Sequence, residues 1–429
     1  MSEISTAFNR KNIGAFVLME ILSVSPIFMI LGNILPPIGL KIHHYAFGIA
    51  FLAAVYHLAF KSNKKWLFYV LLFYLVIQFF YPVSSIKTLI DFFFGPFILV
   101  AISTITLNKE LPPWMLKKYR NRLIGAALIP LIITVLQFVG VVPITFLAAD
   151  FINSVRIMGV ETPRPNGFLY HGSEIAVIIY FLGIMAIFLP TKKALRYIFI
   201  LLIVAATSLF KAIFATTFLL LIIYIVFLDK TIFYHFKLMS RRRLFSYLSL
   251  VLLISLVVFY MKMAIVYKYT GYLFEPTMLT GRGSIWNIYF EGIQNFTFWN
   301  YLFGSGMGSE FSIFAKYATP ENFYPLSQFP NKNLTMHTHN SLLSIFINSG
   351  LAGLMFVGFL FYVIRKELSQ KFSTVNLSKF YFVSFLLPFL LIGVTIPIVN
   401  KAIYWVMLGF VIVHWSLSEY GLRDAEENA

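Results

Sequence analysis

The chain is 429 residues long, 59% apolar and only 12% charged, with 34 Lys and Arg against 17 Asp and Glu, a formal charge of +17 and no cysteine. Apolar runs of bilayer-crossing length recur from end to end, which excludes an ordinary soluble domain. The missing cysteines exclude a disulfide framework and thiol chemistry. The basic residues lie singly and in short clusters between the runs, so they read as topology and headgroup signals, not as a nucleic-acid surface.

In lipid a backbone must satisfy its own hydrogen bonds, so apolar runs of about 20 residues read as helices. The predicted fold class is all-α, a polytopic integral membrane protein forming one transmembrane domain over 1–429. Twelve spans are expected, at 14–34, 44–60, 66–83, 89–107, 123–142, 173–190, 194–210, 212–228, 244–262, 341–364, 380–398 and 401–418. The first run follows Arg10 and Lys11 and reaches Gly32-Asn33 without a small-residue cleavage site. It is too long for a signal-peptide core and is taken as the first span.

With the N-terminus inside, the cytoplasmic segments hold 23 of the 34 basic residues, among them Arg241, Arg242 and Arg243, and the other 11 lie on or near the outer side. This is the positive-inside pattern, and an even number of spans returns the C-terminus to the cytoplasm. Two outer segments exceed a turn, at 143–172 and 263–340. Both carry aromatic and apolar residues throughout, so they read as functional loops rather than as disorder. Within the larger loop, Ile285, Trp286, Ile288, Tyr289, Phe290 and Ile293 have helical apolar spacing, as expected of a helix lying on the bundle or at the interface.

Three of the predicted helices begin at the outer face behind a cationic or ionisable side chain. Arg164 and His171 precede the span at 173, in Arg164-Pro165-Asn166-Gly167-Phe168-Leu169-Tyr170-His171-Gly172. Lys211 lies where two spans join with almost no loop, and His339 precedes the span at 341, in Met336-His337-Thr338-His339-Asn340-Ser341. A helix start presents free N–H groups and the positive end of a dipole, which favours an anion. Arg282, in Thr280-Gly281-Arg282-Gly283-Ser284-Ile285-Trp286, adds a planar fork suited to phosphate. Together these residues predict an electropositive, water-accessible cavity at the outer leaflet that holds a phosphate or pyrophosphate.

Each feature also has a plainer reading. Outer Arg and Lys often snorkel to headgroups, and a single His near a span end is more often a hydrogen-bonded interface residue than a catalyst. Lys211 stands apart, because ionisable residues where apolar runs meet are functional by default. A zinc ion on His337-x-His339 would need further ligands. The four Asp (Asp91, Asp150, Asp229, Asp424) are unpaired in sequence, leaving no Asp-x-Asp for a divalent ion on a nucleotide-sugar. Gly304, Gly306 and Gly308 bend the second half of the loop but lack the strand–turn–helix setting of a dinucleotide fingerprint. No metal and no cofactor is expected.

The set Arg164-Pro165-Asn166-Gly167-Phe168 … His171, Gly281-Arg282-x-x-Ile285-Trp286, Gly304-x-Gly306-x-Gly308 and His339-Asn340-x-Leu342 … Gly350-x-x-Gly353 resembles the bacterial O-antigen ligase and O-antigen polymerase superfamily. The resemblance covers about 160–365, in the same order along the chain. It implies a metal-independent, inverting glycosyltransferase of the bacterial inner membrane, working at the periplasmic face on undecaprenyl-pyrophosphate-linked oligosaccharide. The implied catalytic residues are His339 as general base, with Arg282 and Arg164 on the pyrophosphate; Lys211, His171, Asn340, His337 and Trp286 are the implied substrate-binding residues. Membrane lipids and a chain-length regulator of the same pathway are the implied partners. The chain departs from the family at Ser208-Leu209-Phe210-Lys211, where members often carry Ser-Arg: lysine keeps the charge and loses the fork.

The two neighbouring histidines are not separated by geometry alone, since they point the same way in extended backbone and nearly oppositely in a helix. His339 is preferred because Asn340 and Ser341 beside it are able to cap the following helix, and because the family histidine stands directly before the Asn. The expected activity is polymerisation of lipid-linked repeat units. Transfer of the glycan to the lipid A core is the alternative, and non-enzymatic transport of a lipid-linked glycan is the alternative of another class. Transporters tend to set broken helices and charges at the midplane in two corresponding halves, whereas here the ionisable residues gather at one face.

Overall fold

Apolar runs become helices almost wherever the computed structural model describes the chain. It describes residues 12–35, 41–62, 64–79, 86–143, 154–157, 160–163, 165–169, 172–187, 191–208, 278–319, 338–370 and 401–427, with isolated positions at 214, 217, 218, 220, 322, 380, 381, 384, 385, 388 and 393. The chain divides into two compact units, one of 1–77, 90–221 and 357–429, the other of 78–89 and 222–356.

The first unit opens with α1 (Ile13–Ser23) and α2 (Ser25–Ile34), bent by 56° across Val24. Pro26 stands in the first turn of α2, where its missing N–H costs nothing, but it cannot continue α1 through the bend. The predicted first span is therefore two pieces. α3 (Ile42–Tyr56) continues as a π-helical turn, His57–Lys61, and α4 (Lys65–Phe79), α5 (Ile86–Leu107) and α6 (Pro113–Phe138) follow. Then come a hairpin, β1 (Ser154–Ile157) and β2 (Val160–Pro163), and two helices, α7 (Gly172–Ile187) and α8 (Thr191–Thr207).

Among the described residues the fold is all-α apart from this short hairpin, which pairs antiparallel with Ser154 opposite Pro163, inside the segment expected to be a loop. α1 and α2 pack on α3, α2 on α6, and α7 on α8 and on the final helix, α13 (Ala402–Glu427); α9 to α12 are described below. Residues 175–187 of α7 and 403–413 of α13 are apolar all round and buried, as such helical stretches must be. Trp405 of α13 enters the space that a side chain at Gly95 of α5 would fill.

One polar cluster in this unit joins His57, Thr104 and Glu110. His57 Nε2 lies 3.3 Å from Glu110 Oε2 and 3.5 Å from Thr104 Oγ1, and Asn12 donates to the Glu110 carbonyl at 2.8 Å. Burial raises the Glu110 carboxyl above the usual range.

The second unit supplies α9 (Met278–Gln294), α10 (Phe298–Phe303), α11 (Ser309–Tyr317) and the start of α12 (Ser341–Ser369). α9 begins one to two turns earlier than its apolar spacing suggested and buries Ile285, Trp286, Ile288, Tyr289 and Ile293. It packs on α11, with the Tyr289 and Phe314 ring centroids 6.0 Å apart.

Among the described residues, three helices are long and apolar enough to cross a membrane, Ile42–Lys61, Pro113–Phe138 and Ser341–Ser369, and the bent pair α1 and α2 would make a fourth. Lys65–Val76, Phe94–Leu107, Glu174–Ile187 and Ala402–Ser418 are apolar but shorter. The predicted span 244–262, and most of 212–228 and 380–398, lie outside the described residues.

Candidate functional site

α12 starts where the sequence places its cap. The Asn340 side-chain oxygen accepts the Leu343 N–H at 3.1 Å, and its carbonyl accepts the Ser344 N–H at 2.9 Å. This satisfies one of the donors that a helix start leaves open. Just before the cap, Thr338 is fully buried; its hydroxyl donates to the Asn340 carbonyl at 2.9 Å and accepts from the Asn340 N–H at 3.4 Å. His339, between them and only half-buried, has φ 51°, a left-handed conformation that non-glycine residues seldom take.

Two other helices hold this turn. From α9, the Trp286 indole donates to the Thr338 carbonyl at 2.9 Å. From α11, the Glu310 carboxylate accepts the Thr338 N–H at 3.4 Å and the Ser344 hydroxyl at 3.2 Å. The Thr338 N–H and the Thr338 carbonyl, which belong to successive peptide units, are thus both held from other helices. Glu310 is 0% exposed, and the Tyr289 phenol beside it is pushed well above its ordinary value, first by burial and then by the Glu310 charge.

The glycine cluster has a structural task. Gly304, Gly306 and Gly308 have φ of 80°, 97° and 85°, which let the backbone turn repeatedly between α10 and α11. A Cβ on Gly304 would overlap the Ser349 amide, and one on Gly350 would overlap Leu302 and the Gly304 nitrogen, so the two backbones touch. Gly350 is itself non-helical (φ 60°, ψ −157°) and breaks α12. Near the break, the Ile347 carbonyl accepts the Ser305 N–H at 2.8 Å and the Ser309 hydroxyl at 3.4 Å, and the Asn348 side chain accepts the Gly308 N–H at 2.9 Å. The cluster docks α11, and with it Glu310, against the start of α12.

Trp286, His339 and Asn340 are therefore brought together, in the second unit. Arg282 lies on α9 one turn before Trp286. Arg164, His171, Lys211 and His337 lie outside the described residues. The Pro165-Asn166-Gly167-Phe168 motif belongs to the first unit and is anchored there. Gln137 of α6 accepts the Asn166 and Gly167 N–H groups at 3.0 and 2.9 Å, and Asn33 donates to the Phe168 carbonyl at 3.1 Å. Gly167 at φ 60° lies so close to the Pro130 carbonyl that a side chain would overlap it. The helix that follows has its own acid in the first turn, Glu174, 6% exposed, so its N-terminus is less open to an outside anion than the sequence suggested.

Sequence reasoning missed Glu310, Asn348, Gln137 and Asn33. Glu310 stands just after Gly308-Ser309, a plausible helix start, but nothing in the sequence marks it as buried. Compared with protein-family models, curated proteins and solved structures, the chain matches none.

Proposed function

We propose that the chain is a membrane glycosyltransferase that polymerises undecaprenyl-pyrophosphate-linked glycan repeat units at the periplasmic face of the bacterial inner membrane, as an O-antigen or capsular polymerase. In this reading the twelve-span topology holds, both termini are cytoplasmic, and 143–172 and 263–340 are periplasmic. The observation that carries it is His339: a half-buried histidine in a left-handed turn at the capped start of a helix of membrane-crossing length, its preceding peptide fixed by Trp286. Strained backbone of this kind gathers at functional sites.

The chemistry follows from the residues. The donor glycan reaches the site sideways, its polyprenyl tail remaining in lipid. Arg282 and Arg164, with Lys211, take the pyrophosphate and stabilise the charge growing on it. His339 removes the proton of the acceptor hydroxyl as that oxygen attacks the anomeric carbon. The bond from that carbon to the pyrophosphate oxygen breaks, its electron pair leaves with undecaprenyl pyrophosphate, and the anomeric configuration inverts. Pyrophosphate leaves readily as an anion, so the step needs no general acid. Asn340 and the buried Trp286 hold the turn, while His337 and His171 border the sugar-binding region.

The test is incubation of purified protein with a lipid-pyrophosphate glycan, with and without lipid A core. A growing ladder in the absence of core is the expected result. Transfer to the core alone would make the chain a ligase, and no product from active-site-intact protein would favour transport.

A further inference from the structure

A carboxylate is among the costliest side chains to take out of water, and one that stays buried is held by specific partners. Glu310 is fully buried at the start of α11. Its oxygen takes the N–H of the residue before His339 and the hydroxyl of Ser344, one turn into the helix after it. Glu310 thereby bridges the two sides of the left-handed turn, while Trp286 holds the Thr338 carbonyl. The Gly308 and Ser309 bonds to Asn348 and Ile347 fix α11 itself to α12, so the carboxylate is presented from a braced position.

We propose that Glu310 is the positioning residue for His339, setting the direction in which the imidazole meets the acceptor hydroxyl without itself touching either substrate. The proposal rests on the transferase reading above for its chemistry, and on the hydrogen bonds alone for its geometry. A charged acceptor makes stronger bonds to N–H and O–H than a neutral one, which accounts for a carboxylate where an amide would also fit.

The experiment uses the full chain in lipid nanodiscs, as wild type, Glu310→Ala, Glu310→Gln and Ser344→Ala, with two measurements. The first is hydrogen exchange at 338–343, with α7 as the internal reference. Glu310→Ala should raise exchange there about tenfold and leave α7 unchanged, and Glu310→Gln, which keeps an acceptor oxygen, should stay within about threefold of wild type. The second is the initial rate of glycan transfer from the polyprenyl-pyrophosphate donor. Glu310→Ala should lose about 10²-fold in kcat with donor KM within about threefold, the scale expected of a misplaced catalytic group, and Glu310→Gln should recover most of it.

Wild-type exchange at 338–343 in Glu310→Ala overturns the proposal, and so does raised exchange with unchanged kcat. If Glu310→Ala does not accumulate, Ser344→Ala decides: exchange a few-fold higher with a lower kcat supports the proposal, and no change in either sinks it. Wild-type protein that makes no product overturns the transferase reading, while the exchange result still decides whether Glu310 holds the turn.

Discussion

His339 carries two demands, a left-handed backbone and an imidazole, and substitution separates them. Holding a non-glycine residue at φ 51° costs on the order of 1–3 kcal/mol. Asparagine tolerates that region better than most residues. His339→Asn should therefore fold at least as well as His339→Ala, bind the lipid-linked donor, and still lose roughly 10²–10⁴-fold in turnover, the usual contribution of general-base catalysis. His337→Ala should keep most activity, and a chelator should change nothing. Rates and donor binding measured separately on the three variants check this; a dead His337→Ala beside an active His339→Ala would reverse the assignment.

The guanidinium groups are tested at the same scale. Arg282→Ala and Arg164→Ala should each nearly abolish product, and Arg→Lys should rescue little, because a point charge does not replace the fork. One charge-assisted hydrogen bond is worth about 1.5–3 kcal/mol in the ground state, and more once the leaving charge has developed. Full turnover in a well-expressed Arg282→Ala protein removes that residue from the site.

For the elements, the start of α12 and its break are the places to probe. Asn340→Ala removes the bond to the Leu343 N–H and should cost about 1 kcal/mol of stability, whereas Asn340→Asp should keep the cap. Gly350→Ala meets both a positive φ and the backbone of Leu302 and Gly304, so its loss should exceed that of Asn340→Ala. Thermal unfolding in detergent gives the order directly, and equal losses would mean that the glycine contact relaxes freely.

Much of this element was legible beforehand. Asn340 as a cap and the apolar face of α9 follow from local chemistry and periodicity, which a sequence states openly. The bend at Val24, the hairpin at 154–163 and the buried Glu310 were not legible, for different reasons. A proline early in an apolar run is as compatible with a straight span as with two. Four-residue strands carry too short an alternation to stand out. Burial of a lone acid is decided by helices that meet only in the fold.

Over the whole molecule, the proposed topology puts 143–172 and 263–340 outside and 229–243 inside, on the strength of 23 of 34 basic residues. Because the chain has no cysteine, single cysteines report cleanly. An impermeant thiol reagent on intact spheroplasts should label positions in 263–340 and spare 241–243, and the opposite pattern would invert the arrangement. Membrane character was legible from composition, and the described helices of crossing length agree with it. The number of spans is a harder inference, since Glu174–Ile187 and Ala402–Ser418 are apolar but short, and buried protein helices and short spans have the same composition.

The break at Gly350 divides α12 into two pieces with different partners. Residues 341–349 turn Ser341, Ser344, Asn348 and Ser349 into the fold, and the α10 backbone is moored at the break. Below it, the apolar residues 351–364 reach Arg365 and Lys366 after roughly 21 Å of helix, short of the ~30 Å of a hydrocarbon core. In the proposed orientation the lipid therefore covers the moored piece as well, and the turn that holds His339 stands at the membrane surface, where a pyrophosphate on a lipid-buried tail would emerge.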